Sequence, residues 1–177
     1  PVTVADVVMM GRVARLGWLR MPGRSDWERV RHALETVGMA DLGERQIAQL
    51  SGGQQQRMFI ARALAQEAEL MLMDEPFGAL DAQIREEMQQ LLIDLYKAWP
   101  CLILFVTHDV TEALKLGDRV IVLSTQPAVV ADDFTITEPR PRSSTWQRST
   151  EAVKLEERIL TQLHQVSAGR GAVRVSI

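Results

Sequence analysis

The chain has 177 residues, of which 46% are apolar and 24% charged, and its formal net charge is −3. This length is typical of one domain, and the apolar content is sufficient for a hydrophobic core. The weakly acidic balance argues against broad binding of nucleic acid through a basic surface. The single cysteine excludes a disulfide within the chain. No apolar stretch reaches membrane-spanning length, so we expect a protein that is soluble or peripheral to a membrane.

The first 49 residues are predicted to be mainly helical. Apolar residues at helical spacing begin near Val4, and Pro22-Gly23 ends this first stretch. The order Ser25-Asp26-Trp27-Glu28 predicts a capping box at the start of a second helix. The apolar face of that helix is predicted to contain Val30, Leu34 and Val37.

The run Leu50-Ser51-Gly52-Gly53-Gln54 precedes the next helical run, which starts at Gln55. Such a helix start has backbone N–H groups without intrahelical partners, and these groups together with the helix dipole can bind an anion. The glycines would allow a phosphate to approach closely, because they have no Cβ. The alternative is that Ser51 is only an N-cap and that the glycines form only a turn.

After this helix, short apolar runs alternate with amphipathic helices. This alternation predicts an α/β protein with a mostly parallel sheet of buried strands. The predicted strands are 70–73, 102–106 and 120–123, and the predicted helices are 81–98, 110–116 and 150–165. We also expect an outer strand or hairpin at 128–136, a stiff linker at Pro139-Arg140-Pro141-Arg142, and a frayed tail from Ser167.

Two predicted strands end in polar residues that are suited to chemistry. Asp74 and Glu75 follow the apolar run 70–73, and His108 follows the run 102–106. Since the carboxyl ends of strands line the ligand crevice of open α/β sheets, we expect these side chains near one another. One carboxylate can hold Mg²⁺ beside a nucleotide phosphate, and the adjacent one can orient or polarise an attacking water. The alternatives are a solvated acidic turn and a structural histidine.

In this order, the motifs resemble those of the ATP-binding subunits of ABC transporters. Leu50–Gln54 is similar to the family signature, and Asp74 ends the strand that resembles Walker B. Glu75 stands at the position of the catalytic glutamate, and His108 at that of the switch histidine. Asp81 matches the D-loop, and a role as the cap of the following helix is compatible with this match.

The resemblance implies a P-loop NTPase-like, RecA-like fold with an α-helical signature subdomain. It implies an ATPase that acts as a head-to-tail dimer with ATP and Mg²⁺ between its subunits. Leu50–Gln54 and Asp81 would then serve the nucleotide that is bound by the second subunit. On the chain's own nucleotide, Asp74 would hold Mg²⁺, Glu75 would activate water, and His108 would contact the γ-phosphate.

The chain contains no P-loop, Gly-x-x-x-x-Gly-Lys-Ser/Thr, because its three lysines (Lys97, Lys115 and Lys154) lie in other contexts. We therefore expect an N-terminally truncated chain that lacks the N-terminal strands and neither binds ATP tightly nor hydrolyses it. We also expect exposed sheet edges that promote aggregation. The predicted division is a helical subdomain with the signature at 1–66, the C-terminal part of the α/β core at 67–137, and a linker with a terminal helix at 138–177.

The resemblance further implies an importer subunit that lies at the cytoplasmic face of the membrane and binds transmembrane permease subunits through its helical subdomain. Met10 and Trp18, among arginines, are candidates for this contact. No nucleic acid partner is expected. The first part resembles importers of metal ions or iron chelates, at 6–12, 16–20 and 37–42. The second part resembles nitrate, sulfonate and taurine importers, at 77–83, 107–113 and 139–143, and is favoured because it covers more of the chain.

Two other functions remain open at this point. The same fold occurs in ATPases of DNA repair and translation, but those usually have long coiled coils or tandem domains, and neither is visible in this sequence. A catalytically inactive remnant that binds a partner is favoured by the missing P-loop.

Overall fold

The computed structural model describes residues 1–16, 21–124, 129–168 and 174–176. The chain forms two compact units. The first, which we call the helical unit, contains Pro1–Met71 and Ala79–Leu92. The second, the sheet unit, contains Leu72–Gly78 and Ile93–Ile177. No described helix is both long and apolar enough to cross a membrane.

The helical unit is built on three helices, α1 (Val4–Leu16), α2 (Arg24–Thr36) and α3 (Gly52–Gln66). Both α1 and α2 pack against α3. Gly11 makes the contact with α3 very close, since a Cβ at this position would lie 2.4 Å from the carbonyl oxygen of Arg62. Two short 3-10 helices, Ala40–Leu42 and Ile47–Gln49, connect α2 to α3. The predicted apolar face of α2 is confirmed, because Val30, Leu34 and Val37 are buried.

The predicted start of α2 was wrong by two residues. Ser25 lies inside the helix, and Gly23 is the N-cap. The Asp26 carboxylate accepts the Gly23 N–H at 3.0 Å, which satisfies a backbone donor at the helix start. Asp26 also binds Arg12 on α1, and this long-range partner could not be read from local sequence.

A buried arginine ties the three helices together. The Arg12 guanidinium donates to Asp26 Oδ1 at 3.1 Å, to the Ala65 carbonyl at 2.9 Å and to Glu67 Oε2 at 3.2 Å. Glu67 ends α3 in the left-handed conformation, with φ of 53°. Glu67 also pairs with Arg15 and Arg29. The ends of α1 and α3 are therefore held by charge as well as by apolar packing.

The sheet has five strands in the order β1-β2-β5-β3-β4. They are β1 (Leu70–Asp74), β2 (Leu102–Thr107), β3 (Arg119–Leu123), β4 (Val130–Thr135) and β5 (Arg174–Ser176). The helices that follow α3 are α4 (Ala82–Ala98), α5 (Val110–Leu116), α6 (Ser144–Gln147) and α7 (Thr150–Ala168). The predicted α/β class is confirmed. The outer strand predicted at 128–136 is present as β4, although Ala128 lies outside the described residues.

Strand direction differs from the expected mostly parallel sheet in three described pairings. β4 runs antiparallel to β3, and β5 runs antiparallel to both β2 and β3. A short connection after β3 is too brief for a helical crossover, so β4 returns antiparallel. β5 comes from the tail that was expected to be frayed. Its place in the sheet is a long-range pairing that has no local sequence signal.

The strands β1 and β2 are buried on one face only, which corrects the prediction of fully buried strands. Met73 and Phe105 are buried, and the Phe105 ring lies 5.4 Å from that of Phe77. On the opposite face, Leu72 is 65% exposed and Leu102 is 69% exposed. An apolar run in the sequence therefore does not indicate whether the strand is covered on both faces or on one face only.

The expected stiff linker is fixed to the sheet unit by Arg142. This side chain is buried and donates to the carbonyls of Leu114, Lys115 and Gly117 at 2.7–3.3 Å. It also donates to the carbonyl of Glu138 at 2.9 Å. These bonds satisfy the orphan carbonyls at the end of α5.

Candidate functional site

The first group of candidate residues forms the start of α3 in the helical unit. Ser51 is the N-cap, and its Oγ accepts the Gln54 N–H at 3.3 Å. The Gln54 side chain returns to accept the Ser51 N–H at 3.0 Å, which completes a capping box. The structural role of Ser51 is thus confirmed. Because the Ser51 oxygen only accepts in this box, its hydroxyl hydrogen remains available to a phosphate oxygen.

Helix geometry leaves the N–H groups of Gly52 and Gly53 without intrahelical acceptors, and they lie at the positive end of the α3 dipole. Ser51 and Gly52 are exposed, as an anion site requires. Leu50 is different, since its side chain is buried. Its carbonyl accepts from the Gln55 side chain at 3.3 Å, so Leu50 anchors the approach to the helix.

Gly53 is buried and meets the first turn of α4. A Cβ on Gly53 would lie 2.6 Å from Cγ2 of Ile84, whereas one on Gly52 would lie 3.4 Å from Leu80 Cδ2. The sequence predicts that both glycines allow a phosphate to approach. The structure adds a packing reason for Gly53, because no side chain fits between α3 and Ile84 without movement.

Asp81 caps α4 beside these glycine contacts. Its Oδ1 accepts the Ile84 N–H at 3.0 Å, and the Arg85 side chain donates to the Leu80 carbonyl at 3.1 Å. The predicted cap is confirmed. Asp81 and the Ser51 helix start therefore belong to the same compact unit, within which Gly53 packs on Ile84.

The second group of candidates lies in the sheet unit. Glu75 and His108 follow the neighbouring strands β1 and β2, and Glu75 Oε1 lies 3.1 Å from His108 Nδ1. The Glu75 N–H donates to the Val106 carbonyl at 2.8 Å, which ties the turn after β1 to the end of β2. Glu75 has φ of 44°, an uncommon conformation for a residue with a Cβ. The expected meeting of the two strand ends is therefore present.

Asp74 is exposed at the end of β1, immediately before Glu75. Among the described residues, no cluster of three or more histidines, cysteines, aspartates or glutamates could hold a metal. One carboxylate nevertheless suits Mg²⁺ bound to a nucleotide, because this ion takes one or two carboxylates and completes its shell with waters and phosphates. The Asp74 carboxylate is therefore suited to Mg²⁺ that is already bound to a nucleotide phosphate.

A buried network that the sequence did not predict supports the turn that contains His108. The Thr107 hydroxyl donates to Glu112 Oε2 at 2.8 Å and accepts the Asp109 N–H at 3.0 Å. The Asp109 carboxylate caps α5 by accepting the N–H of Thr111 at 2.8 Å and that of Glu112 at 3.2 Å. The sequence contains one signal for this network, which is the acidic residue Glu112 in a short helix that is otherwise largely apolar.

Comparison with known proteins relates this chain to ABC transporter proteins. The sequence pattern of the ABC transporter family matches residues 2–78. The zinc transport system ATP-binding protein TroB of Treponema pallidum is 47% identical over 124 residues, which are 70% of this chain and 46% of that protein. This chain is a homologue of ABC transporter ATP-binding subunits.

Two further ABC proteins extend this relationship. The nitrate import ATP-binding protein NrtD of Synechocystis is 41% identical over 154 residues, covering 82% of this chain and 58% of that protein. The structure of cbiO1 from Clostridium perfringens, part of the ABC transporter complex cbiONQ, superposes with a TM-score of 0.59. It is 29% identical and covers 67% of this chain and 46% of that chain. The chain spans about half the length of the ABC relatives that it matches.

The ABC relatives include proteins named for zinc and for nitrate, which correspond to the two importer branches that the sequence resembles. This homology leaves the transported substrate open.

Proposed function

We propose that this chain provides part of the ATPase subunit of an ABC importer. The observation that carries the proposal is the contact between Glu75 and His108, 3.1 Å apart at adjoining strand ends and directly after Asp74. A carboxylate, an imidazole and a metal-binding carboxylate at one edge are suited to hydrolysis of a nucleotide phosphate.

Each of the three candidate residues in the sheet unit has a distinct role in this proposal. Asp74 would hold the Mg²⁺ that accompanies ATP, and that ion would supply positive charge beside the phosphates. Glu75 accepts a proton from the attacking water. His108 faces Glu75 through Nδ1, which leaves Nε2 as the ring nitrogen for a γ-phosphate oxygen.

The residues of the helical unit serve a nucleotide that is held by a second ATPase subunit. Ser51, the Gly52 and Gly53 N–H groups, and Gln54 would bind its γ-phosphate at the start of α3. Asp81 would face the same subunit from its capping position. Two composite sites in a head-to-tail dimer follow, since each needs one group from each chain.

The test is a hybrid in which the P-loop segment of a related ABC subunit is joined before Pro1. We expect the hybrid to hydrolyse MgATP, and Glu75→Gln to reduce kcat by roughly 10²-fold or more while ATP binding is retained. The matched control is Glu69→Gln, which makes the same chemical change at an exposed residue just before β1. The unmodified chain, without a P-loop, should not hydrolyse ATP.

Hydrolysis by the hybrid that survives Glu75→Gln unchanged would contradict the proposed role of Glu75. A hybrid that binds ATP but never hydrolyses it would favour the inactive, partner-binding remnant.

The helical unit is proposed to bind a permease subunit at the cytoplasmic face of the membrane. It has a cavity of about 330 Å³ whose lining includes Trp27, Val30 and Arg31. Met10 and Val13 on α1 are exposed, at 48% and 56%. Trp18, the other candidate for this contact, lies outside the described residues. Mixed apolar and charged surfaces of this kind are suited to a protein helix.

The permease contact is tested in an assembled importer that contains the hybrid. Met10→Glu should abolish transport and leave basal ATPase activity unchanged, because it places a charge on the apolar surface. Unchanged transport would refute the contact. Running the assay with a permease of the nitrate or sulfonate type and with one of the metal type also tests the substrate class, for which we favour the first.

A further inference from the structure

We propose that Glu112 is a positioning residue that fixes His108 against Glu75 through the hydroxyl of Thr107. The inference rests on the proposed function in so far as His108 serves a nucleotide.

The contact between His108 and Glu75 needs outside support. Both side chains are well exposed, at 64% and 38%. An exposed pair of this kind gains little free energy and does not by itself hold two side chains in one geometry. The positions of the two residues must therefore be set by the backbone on which they stand.

The backbone on both sides of His108 is held by one hydroxyl. Thr107 is buried, and its Oγ donates its hydrogen to Glu112 Oε2 at 2.8 Å. The same oxygen accepts the N–H of Asp109 at 3.0 Å, on the other side of the histidine. A hydroxyl has one hydrogen, so its donation to Glu112 orients a lone pair toward Asp109.

Glu112 fixes the orientation of the Thr107 hydroxyl. It is buried on α5, and its Oε2 accepts the hydroxyl hydrogen of Thr107 at 2.8 Å. Because Thr107 ends β2 and Glu112 lies on α5, their bond locks the turn between strand and helix. The Val106 carbonyl, one residue earlier, accepts the N–H of Glu75, so both partners of the His108 contact are tied to the same strand end.

The test is NMR spectroscopy of the labelled chain without nucleotide. The readouts are the ring ¹⁵N shifts of His108 and its nuclear Overhauser contact with the Glu75 side chain. Thr107→Val keeps the shape but removes the hydroxyl, and we expect the contact to be lost and the ring shifts to move toward those of a solvated imidazole. Thr107→Ser restores the hydroxyl and should restore both signals.

Thr111→Val is the matched control. It makes the same chemical change at an exposed residue whose described contact with Asp109 is through its backbone N–H. The resonances of His32 and His164 report whether each variant is folded. Where Thr107→Val does not fold, Glu112→Gln provides the second variant, since it keeps the size and one acceptor oxygen but loses the charge. A partial loss of the His108 contact is expected there.

An unchanged His108 contact in Thr107→Val and in Glu112→Gln would overturn the inference, as would its absence from the unaltered chain. In the hybrid ATPase, Thr107→Val should lower kcat roughly ten- to hundredfold with little change in KM for MgATP, since a misplaced side chain affects the chemical step. The NMR readouts need no nucleotide. A hybrid without ATPase activity but with an intact, hydroxyl-dependent His108 contact would therefore refute the proposed function alone.

Discussion

Gly53 on α3 and Ile84 on α4 approach so closely that a Cβ on the glycine would lie 2.6 Å from Cγ2 of the isoleucine. This contact connects the helix start that contains Ser51 with the turn that is capped by Asp81. The sequence predicts that Gly53 allows a phosphate to approach, and the packing of α3 on α4 is a second reason for a glycine at this position.

The first prediction is that Gly53→Ala destabilises the helical unit by about 1–3 kcal/mol, because it forces a methyl group into filled space. The better helix propensity of alanine offsets at most about 1 kcal/mol of this loss. In an Ile84→Ala background, the same change should cost much less. Urea unfolding of the two single variants and the double variant measures the coupling.

Gly52→Ala is the control for this prediction, since its new Cβ would meet only the end of the Leu80 side chain at 3.4 Å. It should change stability little. Additive effects of the Gly53 and Ile84 changes would contradict the close contact.

The second prediction concerns the pH dependence of stability and Asp26. The Gly23 N–H, and after it the Arg12 guanidinium, hold the pKa of this carboxyl below its ordinary value of 3.8. A carboxyl with a lowered pKa in the folded state stabilises the protein above its unfolded pKa. This stabilisation is lost as the pH falls below 3.8 toward the folded pKa.

Asp26→Asn should therefore be less stable than the parent at pH 6, and the difference should shrink as the pH falls below the ordinary carboxyl pKa. Thermal unfolding of both proteins at several pH values measures this difference. A difference that stays constant with pH would show that the charge of Asp26 does not contribute.

The third prediction is that Arg142→Met destabilises the sheet unit by about 2–4 kcal/mol. The change leaves the carbonyls of Leu114, Lys115 and Gly117 without this buried donor, and unsatisfied buried groups are costly. Denaturant unfolding followed by tryptophan fluorescence, to which Trp146 near the guanidinium contributes, provides the measurement.

Arg119→Met is the comparison for this variant. Arg119 makes a bidentate pair with Asp133, but its side chain is 63% exposed. Its loss should matter far less than that of Arg142. Equal destabilisation by the two changes would mean that burial of the Arg142 hydrogen bonds does not increase their contribution to the free energy of unfolding.

The fourth prediction is that the exposed face of β1 and β2 causes self-association of the isolated chain. Leu72 and Leu102 are 65% and 69% exposed on this face. Contiguous apolar surface of this kind is a site of association. The double variant Leu72→Thr/Leu102→Thr should stay monomeric at concentrations where the parent associates, as measured by light scattering after gel filtration.

Met73→Thr separates this effect from a loss of stability. Met73 is buried on the opposite face of β1, so its replacement should destabilise the fold and increase association. Reduced association in this variant as well would contradict the assignment to the exposed face.

Local sequence was sufficient for most helices and strands and for the residues at their ends. Val110–Leu116 was predicted with the bounds that α5 has, because Asp109 is a side-chain cap and Gly117 follows the last turn. Helix capping and strand alternation act between residues that are near in sequence. The positions of Ser51, Asp81 and Glu75 at the starts and ends of elements followed from this.

Other features depended on residues that are distant in sequence. The capping role of Asp26 arose together with its pairing to Arg12, fourteen positions away. The place of β5 between β2 and β3 joins the tail to the middle of the chain. Neither feature has a periodic or compositional signal.

The sequence by itself determined the order of the motifs, the α/β class and the residues that are suited to phosphate chemistry, because propensity, capping and motif spacing are local properties. Only the tertiary structure shows that Ile84 leaves no room for a side chain at position 53. It also decided that Arg142 locks a segment expected to be a linker, and that Glu112 reaches Thr107 behind His108. These contacts depend on which surfaces meet after folding, and close packing makes their geometry specific.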